Sequence, residues 1–421
     1  MSADGAGGIV GPPDRRGLPA PLVMHLLSAA EIFESGARLA PIADLPRFPW
    51  AAPPDAAARA VAAEVAAAPP VEMALALRIE GAERLAAMLR GLRRWQESAF
   101  ARTLRDPPAI WSLGSARLLD FGPAEGRPLL VAPSLINRHH ILDLDEDVSL
   151  MRFLSARGMR PMLLDWGDPG AEEQRFGLSD YVERRLLPAF DAAEAATGKR
   201  LSLLGYCMGG ALAVAAAARR PGRVARLALI GAPWDFAAMV PMRSALASLG
   251  IAGDREKLAE TIAAVADAFG AVPVAALQAV FAQLDPGLAA RKFRRFAALD
   301  PESAEARRFV LIEDWLNAGP PLAGPAAREA LIDWHLDNLP ARGLWRVAGA
   351  PVDPASIDAP ALVAAATADR ITPPGAAEPL ARKLRGARLL RPDSGHIGMI
   401  VGHVSERRLR RPLAEFLSAP A

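Results

Sequence analysis

The chain has 421 residues, and 52% of them are hydrophobic, which is enough to build a large buried core. Its formal net charge of +2 is not the basic footprint of a nucleic-acid-binding protein, so we expect no nucleic-acid partner. A single cysteine excludes an internal disulfide and favours a reducing compartment.

The beginning of the chain lacks the pattern of a secretory signal peptide. Asp4 precedes any positive charge, and His25 interrupts the apolar run at 22–30. The longest nearly apolar stretch, 201–218, contains a Gly-Gly pair and follows a strand–turn–helix pattern rather than that of a membrane span. We therefore expect a cytoplasmic protein without a transmembrane segment.

Residues 1–110 are predicted to form a helical N-terminal region. A start rich in glycine and proline precedes a helix at 56–67, capped by Asp55, and a second helix at 71–103 with apolar residues at helical spacing. Two interpretations of this region stay open, since both a packing appendage and a partner or dimer surface fit the pattern.

Strands alternate with helices from residue 111 onwards. This alternation is typical of an α/β fold with a mostly parallel sheet and right-handed crossovers. The predicted strands are 117–121, 128–132, 160–166, 200–204 and 226–230, and the predicted helices are 147–157, 178–197 and 211–219.

The alternation stops near Asp235, and the pattern is mostly helical as far as Leu344. It then resumes to the end of the chain. We therefore predict a catalytic domain over 111–421 with a helical cap insertion at about 236–344. The predicted cap helices include 254–269, 274–284 and 301–316, and the later elements are a strand at 359–366, a helix from 374, a strand at 387–391 and a helix from 405.

The single cysteine lies at the centre of residues 205–210, which read Gly-Tyr-Cys-Met-Gly-Gly. An apolar stretch of strand length precedes this run and an alanine-rich stretch of helix length follows it. The pattern matches the nucleophile elbow of the alpha/beta-hydrolase fold, with Cys207 in place of serine. Gly205 and Gly209 would allow the strand and the helix to approach closely. The alternative is a buried cysteine that packs as a small hydrophobic residue.

An activated nucleophile needs a base and a group that orients the base. In this fold the order along the chain is nucleophile, acid, histidine. That order selects Asp369, after the strand at 359–366, and His396, in the loop after the last strand. Asp393 is a rival acid by proximity, although its position suits bracing of the loop better. The structural alternatives are a turn aspartate and a packed loop histidine.

The oxyanion of an acyl-transfer reaction needs two donors. We expect one from the backbone N–H of Met208, which follows the nucleophile, and a second from the loop after the strand at 128–132, at Leu135 or Ile136. His139 and His140 follow in the same region and are expected to be structural or to contact the substrate.

A cysteine nucleophile favours acyl transfer from a thioester over plain ester hydrolysis. Exchange of one thioester for another is nearly neutral in free energy, and a hydroxyl can then attack the acyl group downhill. A free thiol with a pKa of about 8.5 is mostly protonated at neutral pH, so His396 and the positive end of the helix starting at Gly209 are expected to favour the thiolate. No cofactor or metal is expected.

These motifs make the chain resemble the polyhydroxyalkanoate synthases, which polymerise 3-hydroxyacyl-CoA into polyester. The resemblance covers about 115–417. It implies that Cys207 carries the acyl chain, that His396 activates Cys207, and that Asp369 orients His396 or helps to activate the incoming 3-hydroxyl. Coenzyme A would enter only as part of the substrate. The motifs are PSLINR at 133–138, ILDL at 141–144, LDWG at 164–167, the box around Cys207, DRITP at 369–373 and SGHIG at 394–398.

The resemblance also implies partners. Synthases of this kind form dimers with a mobile cap, act at the surface of polyester granules, and in some cases need a second subunit. Two positions depart from the family pattern: Arg370 stands where histidine is usual, and Leu135 stands where tryptophan is common. The second departure is closer to the short, two-component synthases.

A hydrolase is the main rival interpretation. Dienelactone hydrolases also carry a Gly-Tyr-Cys-x-Gly-Gly box, but they lack so large a cap. An acyl-CoA thioesterase or a polyester hydrolase would use the same three side chains with water as the acceptor. A granule-surface scaffold without activity is a third possibility. The basic run at 291–295 is expected to be a solvated helix face, with the phosphates of coenzyme A as the alternative.

Overall fold

The computed structural model describes Arg15 and residues 56–240, 254–282, 284–285 and 287–419. These residues form two compact units. The described residues of Phe100–Leu284 and Leu311–Ala421 form one unit, which we call the sheet unit. Those of Asp14–Ala99 and Asp285–Val310 form the other, which we call the helical unit.

The strands belong to the sheet unit. They are β1 (Ala109–Leu113), β2 (Ala116–Asp120), β3 (Arg127–Ala132), β4 (Met159–Asp165), β5 (Leu201–Tyr206), β6 (Val224–Ile230), β7 (Arg346–Val347), β8 (Ala350–Pro351), β9 (Ala361–Ala364) and β10 (Arg388–Leu390).

Eight of these strands form one sheet in the order β1-β2-β4-β3-β5-β6-β9-β10. The pairs from β4 to β10 are parallel, whereas β2 pairs antiparallel with both β1 and β4. The mostly parallel sheet predicted from the alternation of strands and helices is confirmed. The short strands β7 and β8 pair separately as a hairpin.

Strand β1 is absent from the sequence-based prediction. It lies at the edge of the sheet, and four of its five residues are exposed, including Ile110 and Leu113. A strand that buries neither face carries no alternation of apolar and polar residues, so the pattern on which strand prediction depends is missing.

The α-helices surround the sheet or lie in the helical unit. In chain order they are α1 (Ala56–Ala67), α2 (Pro70–Gln96), α3 (Leu150–Ser155), α4 (Leu178–Tyr181), α5 (Leu187–Thr197), α6 (Met208–Arg219), α7 (Arg255–Phe269), α8 (Val274–Ala282), α9 (Leu288–Ala297), α10 (Ala304–Asn317), α11 (Gly324–Arg328), α12 (Pro374–Lys383), α13 (Gly398–Val401) and α14 (Arg411–Ser418). The π-helical segment Val182–Leu186 joins α4 to α5. A second π-helical segment, Glu329–Leu336, follows α11.

Both faces of the sheet are buried. Leu130 and Leu203 belong to an apolar cluster on one face, together with residues of α5 and α6. Leu129 and Leu204 belong to the cluster on the other face, together with residues of α3 and α14. Burial on two faces explains why the central strands are continuous apolar runs rather than alternating ones.

Helix α3 begins later than the sequence indicated. The predicted helix at 147–157 is an α-helix only from Leu150, because Ser149 caps it by accepting a hydrogen bond from the Arg152 backbone N–H at 2.9 Å. A 3-10 turn, Glu146–Val148, occupies the earlier residues.

The helical unit combines two distant parts of the chain. Helices α2 and α9 pack closely, since a Cβ on Gly91 would lie 2.0 Å from the Phe293 carbonyl oxygen. Arg94 donates hydrogen bonds to the carbonyls of Phe296 and Leu299 at 3.0 and 2.7 Å. Helix α9 contains the basic run 291–295, which the prediction had placed within the cap insertion. The boundaries at 110 and at 236–344 stay predictions, and the predicted cap Asp55 lies outside the described residues.

Within the described parts of the chain, no helix is both long enough and apolar enough to cross a membrane.

Candidate active site

Cys207 lies at a strained turn between β5 and α6. Its backbone has φ 55° and ψ −131°, in a region that residues other than glycine rarely adopt. The Cys207 N–H donates to the Ile230 carbonyl on the neighbouring strand β6 at 2.9 Å, which helps to hold this conformation. The thiol is only partly buried and lies at the margin of an apolar cluster, so it is not sealed within the core. Such strain is typical of functional turns.

Glycines make this turn possible. A Cβ on Gly205 would lie 2.4 Å from the Gly210 Cα, and a Cβ on Gly209 would lie 2.2 Å from the Pro133 carbonyl oxygen. Real Cβ atoms do not approach backbone that closely. Strand β5, helix α6 and the end of β3 therefore meet only because these positions carry no side chain.

Asp369 and His396 form a buried pair. The His396 Nδ1–H donates to the Asp369 Oδ2 at 2.7 Å. The other carboxylate oxygen of Asp369 accepts from the backbone N–H groups of Ile371 and Thr372 at 2.9 and 2.7 Å. Because these bonds fix the carboxylate, it fixes the tautomer and the orientation of the imidazole.

Asp393, the rival acid, lies elsewhere. Its carboxylate accepts a hydrogen bond from the Thr367 hydroxyl at 3.1 Å on the exposed side of the loop. It is therefore Asp369, and not Asp393, that bonds His396 in this structure.

The His396 ring is held from two further sides. The Tyr206 ring stacks on it with a centroid separation of 5.2 Å. On another side, a Cβ on Gly231 would lie 2.9 Å from the His396 Cε1, so the absence of a side chain there leaves room for the ring. The imidazole is thus positioned by packing as well as by its hydrogen bond.

His396 is coupled electrostatically to the thiol. Burial alone lowers the pKa of His396, but the negative charges of Cys207 and Asp369 outweigh this effect and raise it to about 10. The Nε2 atom is buried and has no hydrogen-bond partner among the described residues. Catalytic hydrogen bonds often tighten only when substrate is bound.

The candidate oxyanion donors lie on two elements that meet at the elbow. Met208 is the first residue of α6, directly after the candidate nucleophile. Leu135 and Ile136 lie in the loop after β3, whose Pro133 carbonyl accepts a hydrogen bond from the Trp166 indole N–H at 3.1 Å. The Ile136 N–H already donates to the Ser134 hydroxyl at 3.2 Å.

His139 is a buried ion-pair centre that the sequence left undecided. Its two ring nitrogens lie 3.1 Å from Asp165 Oδ1 and 3.4 Å from Asp106 Oδ2. Burial lowers the pKa of His139, but the two carboxylates outweigh burial and raise it to about 9. Burial and the charged His139 hold the pKa of the adjacent His140 well below its usual value. The contact with Asp106 depends on a residue remote in sequence, so no local signal identified it.

A small apolar cavity of about 20 Å³ borders the elbow. Ile136 and Met208 line it together with residues of α8 and α11 such as Phe281 and Ala327. His335 also lines it, although no polar atom faces the cavity, and sequence reasoning did not assign this residue a role. Helices that follow β6 therefore line a cavity beside Met208, the residue after the candidate nucleophile.

The basic run on α9 is engaged in surface ion pairs. Arg291 pairs with Asp285 at 2.5 Å and Arg295 with Glu305 at 2.6 Å. Exposed pairs of this kind contribute little to stability. Within the described residues, no group of three or more His, Cys, Asp or Glu side chains is arranged to hold a metal ion.

Comparison with known proteins agrees with the fold. The model of a family described as alpha/beta hydrolase fold matches residues 143–403. Three relatives bear the name poly(3-hydroxyalkanoate) polymerase subunit PhaC. Those from Haloferax mediterranei and Haloarcula marismortui are 32% and 31% identical, over 65% and 70% of this chain, and the one from Allochromatium vinosum is 28% identical over 70% of it.

The fold and the site define an alpha/beta-hydrolase fold protein with a cysteine at the nucleophile position. The chain belongs to that family, and within it the chain is similar to relatives named poly(3-hydroxyalkanoate) polymerase subunit PhaC. The matches span 55% and 61% of the length of the two haloarchaeal relatives and 81% of the third.

Proposed function

We propose that this chain is an acyltransferase that polymerises 3-hydroxyacyl-CoA into polyhydroxyalkanoate through an acyl thioester on Cys207, with release of coenzyme A. The observation that carries the proposal is a cysteine on a strained elbow, electrostatically coupled to a buried imidazole that Asp369 orients. The names of the curated relatives point to the same activity.

The first step would acylate the thiol. His396 takes the proton from Cys207, and the sulfur attacks the thioester carbonyl of the substrate. The developing oxyanion is stabilised by the Met208 N–H and by the Leu135 N–H, because the Ile136 N–H is already bonded to Ser134. The carbon–sulfur bond to coenzyme A then breaks, and His396 returns the proton to the departing thiolate.

The second step would form the ester. His396 takes the proton from the 3-hydroxyl of an incoming 3-hydroxyacyl-CoA, and the hydroxyl oxygen attacks the acyl carbonyl on Cys207. The bond from carbonyl carbon to Cys207 sulfur breaks, and the thiol is restored by the proton held on His396. The product is a longer acyl-CoA, which can acylate Cys207 again. Asp369 stabilises the imidazolium formed in each step.

Product analysis with purified protein and 3-hydroxybutyryl-CoA tests the proposal. We expect release of coenzyme A together with insoluble polyester. Free hydroxy acid instead of polyester would favour a hydrolase with water as acceptor, and no release would favour a scaffold. A Cys207→Ala variant that releases coenzyme A at the normal rate would contradict the assignment of the nucleophile.

The proposal extends to partners and location. The relatives are named polymerase subunits, and we propose that this chain acts as a homodimer, with a second synthase subunit, at the surface of polyester granules in the cytoplasm. Sedimentation velocity of the purified chain, with and without substrate, measures whether it forms a homodimer. Fractionation of cells on a density gradient measures association with granules.

A further inference from the structure

The loop that follows β3 has no regular secondary structure of its own. Residues 133–138 connect the end of β3 to the next 3-10 turn. The loop lies against the elbow, because a Cβ on Gly209 would meet the Pro133 carbonyl oxygen at 2.2 Å. Ile136 of the loop lines the same cavity as Met208. A backbone donor in such a loop needs contacts from other elements to hold its position.

The far end of this loop is held by the end of α10. The Trp315 indole N–H donates a hydrogen bond to the Arg138 carbonyl at 2.7 Å. The Arg138 Nε–H in turn donates to the Ala318 carbonyl at 3.2 Å. The same guanidinium pairs with Asp168 at 2.8 Å. The main chain and the side chain of Arg138 are therefore fixed together.

Trp315 is a rigid anchor for that end of the loop. The residue is only 4% exposed. It packs in the apolar cluster that includes Val131 of β3 and Tyr206 of β5. A large ring in a close-packed core cannot rotate freely, so its N–H has a fixed direction. Two prolines, Pro320 and Pro321, follow α10 and stiffen the chain beyond it.

Gly319 supports the middle of the loop. A Cβ at this position would lie 2.9 Å from the Ile136 carbonyl oxygen and 3.1 Å from the Asn137 Oδ1. Such a Cβ would also meet the Val274 side chain at 2.6 Å. The backbone after α10 therefore lies directly against the loop because residue 319 carries no side chain.

We propose that Trp315 is a positioning residue for the acylation of Cys207. Its indole N–H and the backbone of Gly319 hold the loop so that the Leu135 N–H faces the developing oxyanion. This inference rests on the proposed function and adds to it the element that aligns the second oxyanion donor. Trp315 acts through the loop and does not touch the substrate. A shift of about 1 Å in such a donor can slow a reaction about 100-fold.

Two reactions of the same thiol separate this role from a general effect on the site. Alkylation by iodoacetamide forms a carbon–sulfur bond at a saturated carbon and expels iodide, so it needs no oxyanion donor. Acylation by 3-hydroxybutyryl-CoA passes through an oxyanion. Mass spectrometry of the intact protein measures both rates at single turnover.

Trp315→Phe keeps a buried ring but removes the N–H that bonds the loop. It should slow acylation at least about 10-fold while leaving alkylation, which follows the thiolate, within about twofold. The loss should appear in the limiting rate of acylation rather than in the half-saturating concentration of the thioester. Gly319→Ala presses on the loop from the other contact and should lower the ratio of the acylation rate to the alkylation rate in the same way.

Trp345→Phe is the matched control. Trp345 is also 4% exposed, and its indole N–H has no hydrogen-bond partner among the described residues, so the change removes the same atoms without breaking a bond. It should leave the ratio of the two rates unchanged. An unchanged ratio in Trp315→Phe, or an equal loss in Trp345→Phe, would overturn the inference and leave the proposed function intact.

Should Trp315→Phe not fold, the ratio in Gly319→Ala decides between the same outcomes. If Cys207 of the wild-type protein is alkylated but not acylated by the thioester, the proposed function fails and this inference fails with it.

Discussion

The three candidate catalytic side chains are each held by a different device. Cys207 lies on the strained backbone of the elbow. His396 is positioned by the stacked Tyr206 ring and by the space that Gly231 leaves. Two backbone N–H groups hold the Asp369 carboxylate. These contacts come from the backbone or from neighbouring residues, and Tyr206 and Gly231 lie far from His396 in the chain. A substitution at any of the three positions is therefore expected to affect chemistry more than folding.

Asp369→Asn should slow acylation of Cys207 about 1,000-fold or more, since the amide favours the wrong tautomer of His396. The retained side-chain oxygen still accepts from the Ile371 and Thr372 N–H groups, so the melting temperature should change little. Stopped-flow release of coenzyme A measures the rate. Asp393→Asn is the matched control and should react normally; a greater loss in the control would reassign the acid.

The ion pairs of His139 predict a pH dependence of stability. The pKa of His139 rises from 6.5 to about 9 on folding because of Asp106 and Asp165. The contribution of charged His139 to the free energy of unfolding is therefore complete below pH 6.5 and is lost as the pH rises through 9. Burial raises the pKa of Asp106, but His139 outweighs burial and lowers this pKa from 3.8 to about 2. The contribution of the Asp106 carboxylate to stability is therefore lost only as the pH falls from 3.8 through 2. The expected loss at alkaline pH is about 3 kcal/mol.

Urea unfolding of the wild-type protein and of His139→Gln between pH 6 and 9.5 measures this contribution. Because His396 also has a raised pKa, only the difference between the two proteins isolates His139. The difference in free energy of unfolding should shrink towards the alkaline end. A difference that stays constant with pH would show that His139 is neutral in the folded protein.

At the scale of elements, the contact between β5, α6 and the loop after β3 depends on space at the glycines. The sequence pattern identified strand, turn and helix correctly because their periodicities are local. It did not identify β1, whose exposed residues carry no pattern. It placed the basic run 291–295 on a helix face, which is confirmed, but did not indicate that this helix packs against α2. The predicted beginning of α3 at 147 was also too early, because Ser149 caps the helix and Leu150 is its first residue.

Gly209→Ala should lower the free energy of unfolding by about 3 kcal/mol and disturb the loop after β3, since the added methyl would meet the Pro133 and Ala132 carbonyls at 2.2 and 2.3 Å. Neither backbone can move without displacing β3. Chemical denaturation together with the acylation rate measures both effects. Gly398→Ala is the control: its nearest atom would be at 3.6 Å, so stability should change by less than about 1 kcal/mol.

At the scale of the whole molecule, the chain divides its residues between two units in a way that interrupts the predicted cap. The described residues of Asp285–Val310 belong with those of Asp14–Ala99. Aromatic packing holds this helical unit together: Trp95 contacts Phe293 edge-to-face at 6.1 Å, and Phe296 stacks on Phe309 at 4.2 Å. We expect this unit to respond to mutation separately from the sheet.

Phe293→Ala should destabilise the helical unit by about 3–5 kcal/mol, because the ring is fully buried. Hydrogen exchange followed by mass spectrometry should then show faster exchange in peptides from α2 and α9, with protection of β5 and α6 retained. Leu288→Ala changes a half-exposed side chain on the same helix, so it should alter neither the stability of the helical unit nor the exchange of its peptides. Equal loss of protection in β5 would show instead that the two units unfold together.

The sequence by itself determined the order of the central strands and of the helices that follow them, the position of the elbow and the identity of the residues proposed for catalysis. These features depend on short-range patterns, on glycines at a tight turn and on chain order, all of which are visible in one dimension. Only the tertiary structure decided which helix packs with 285–310, that His139 lies between two carboxylates, and that His335 borders Met208 with an unpaired nitrogen. The physical reason is that the burial and charge environment of a side chain are set by residues distant in the chain, and no local pattern records them.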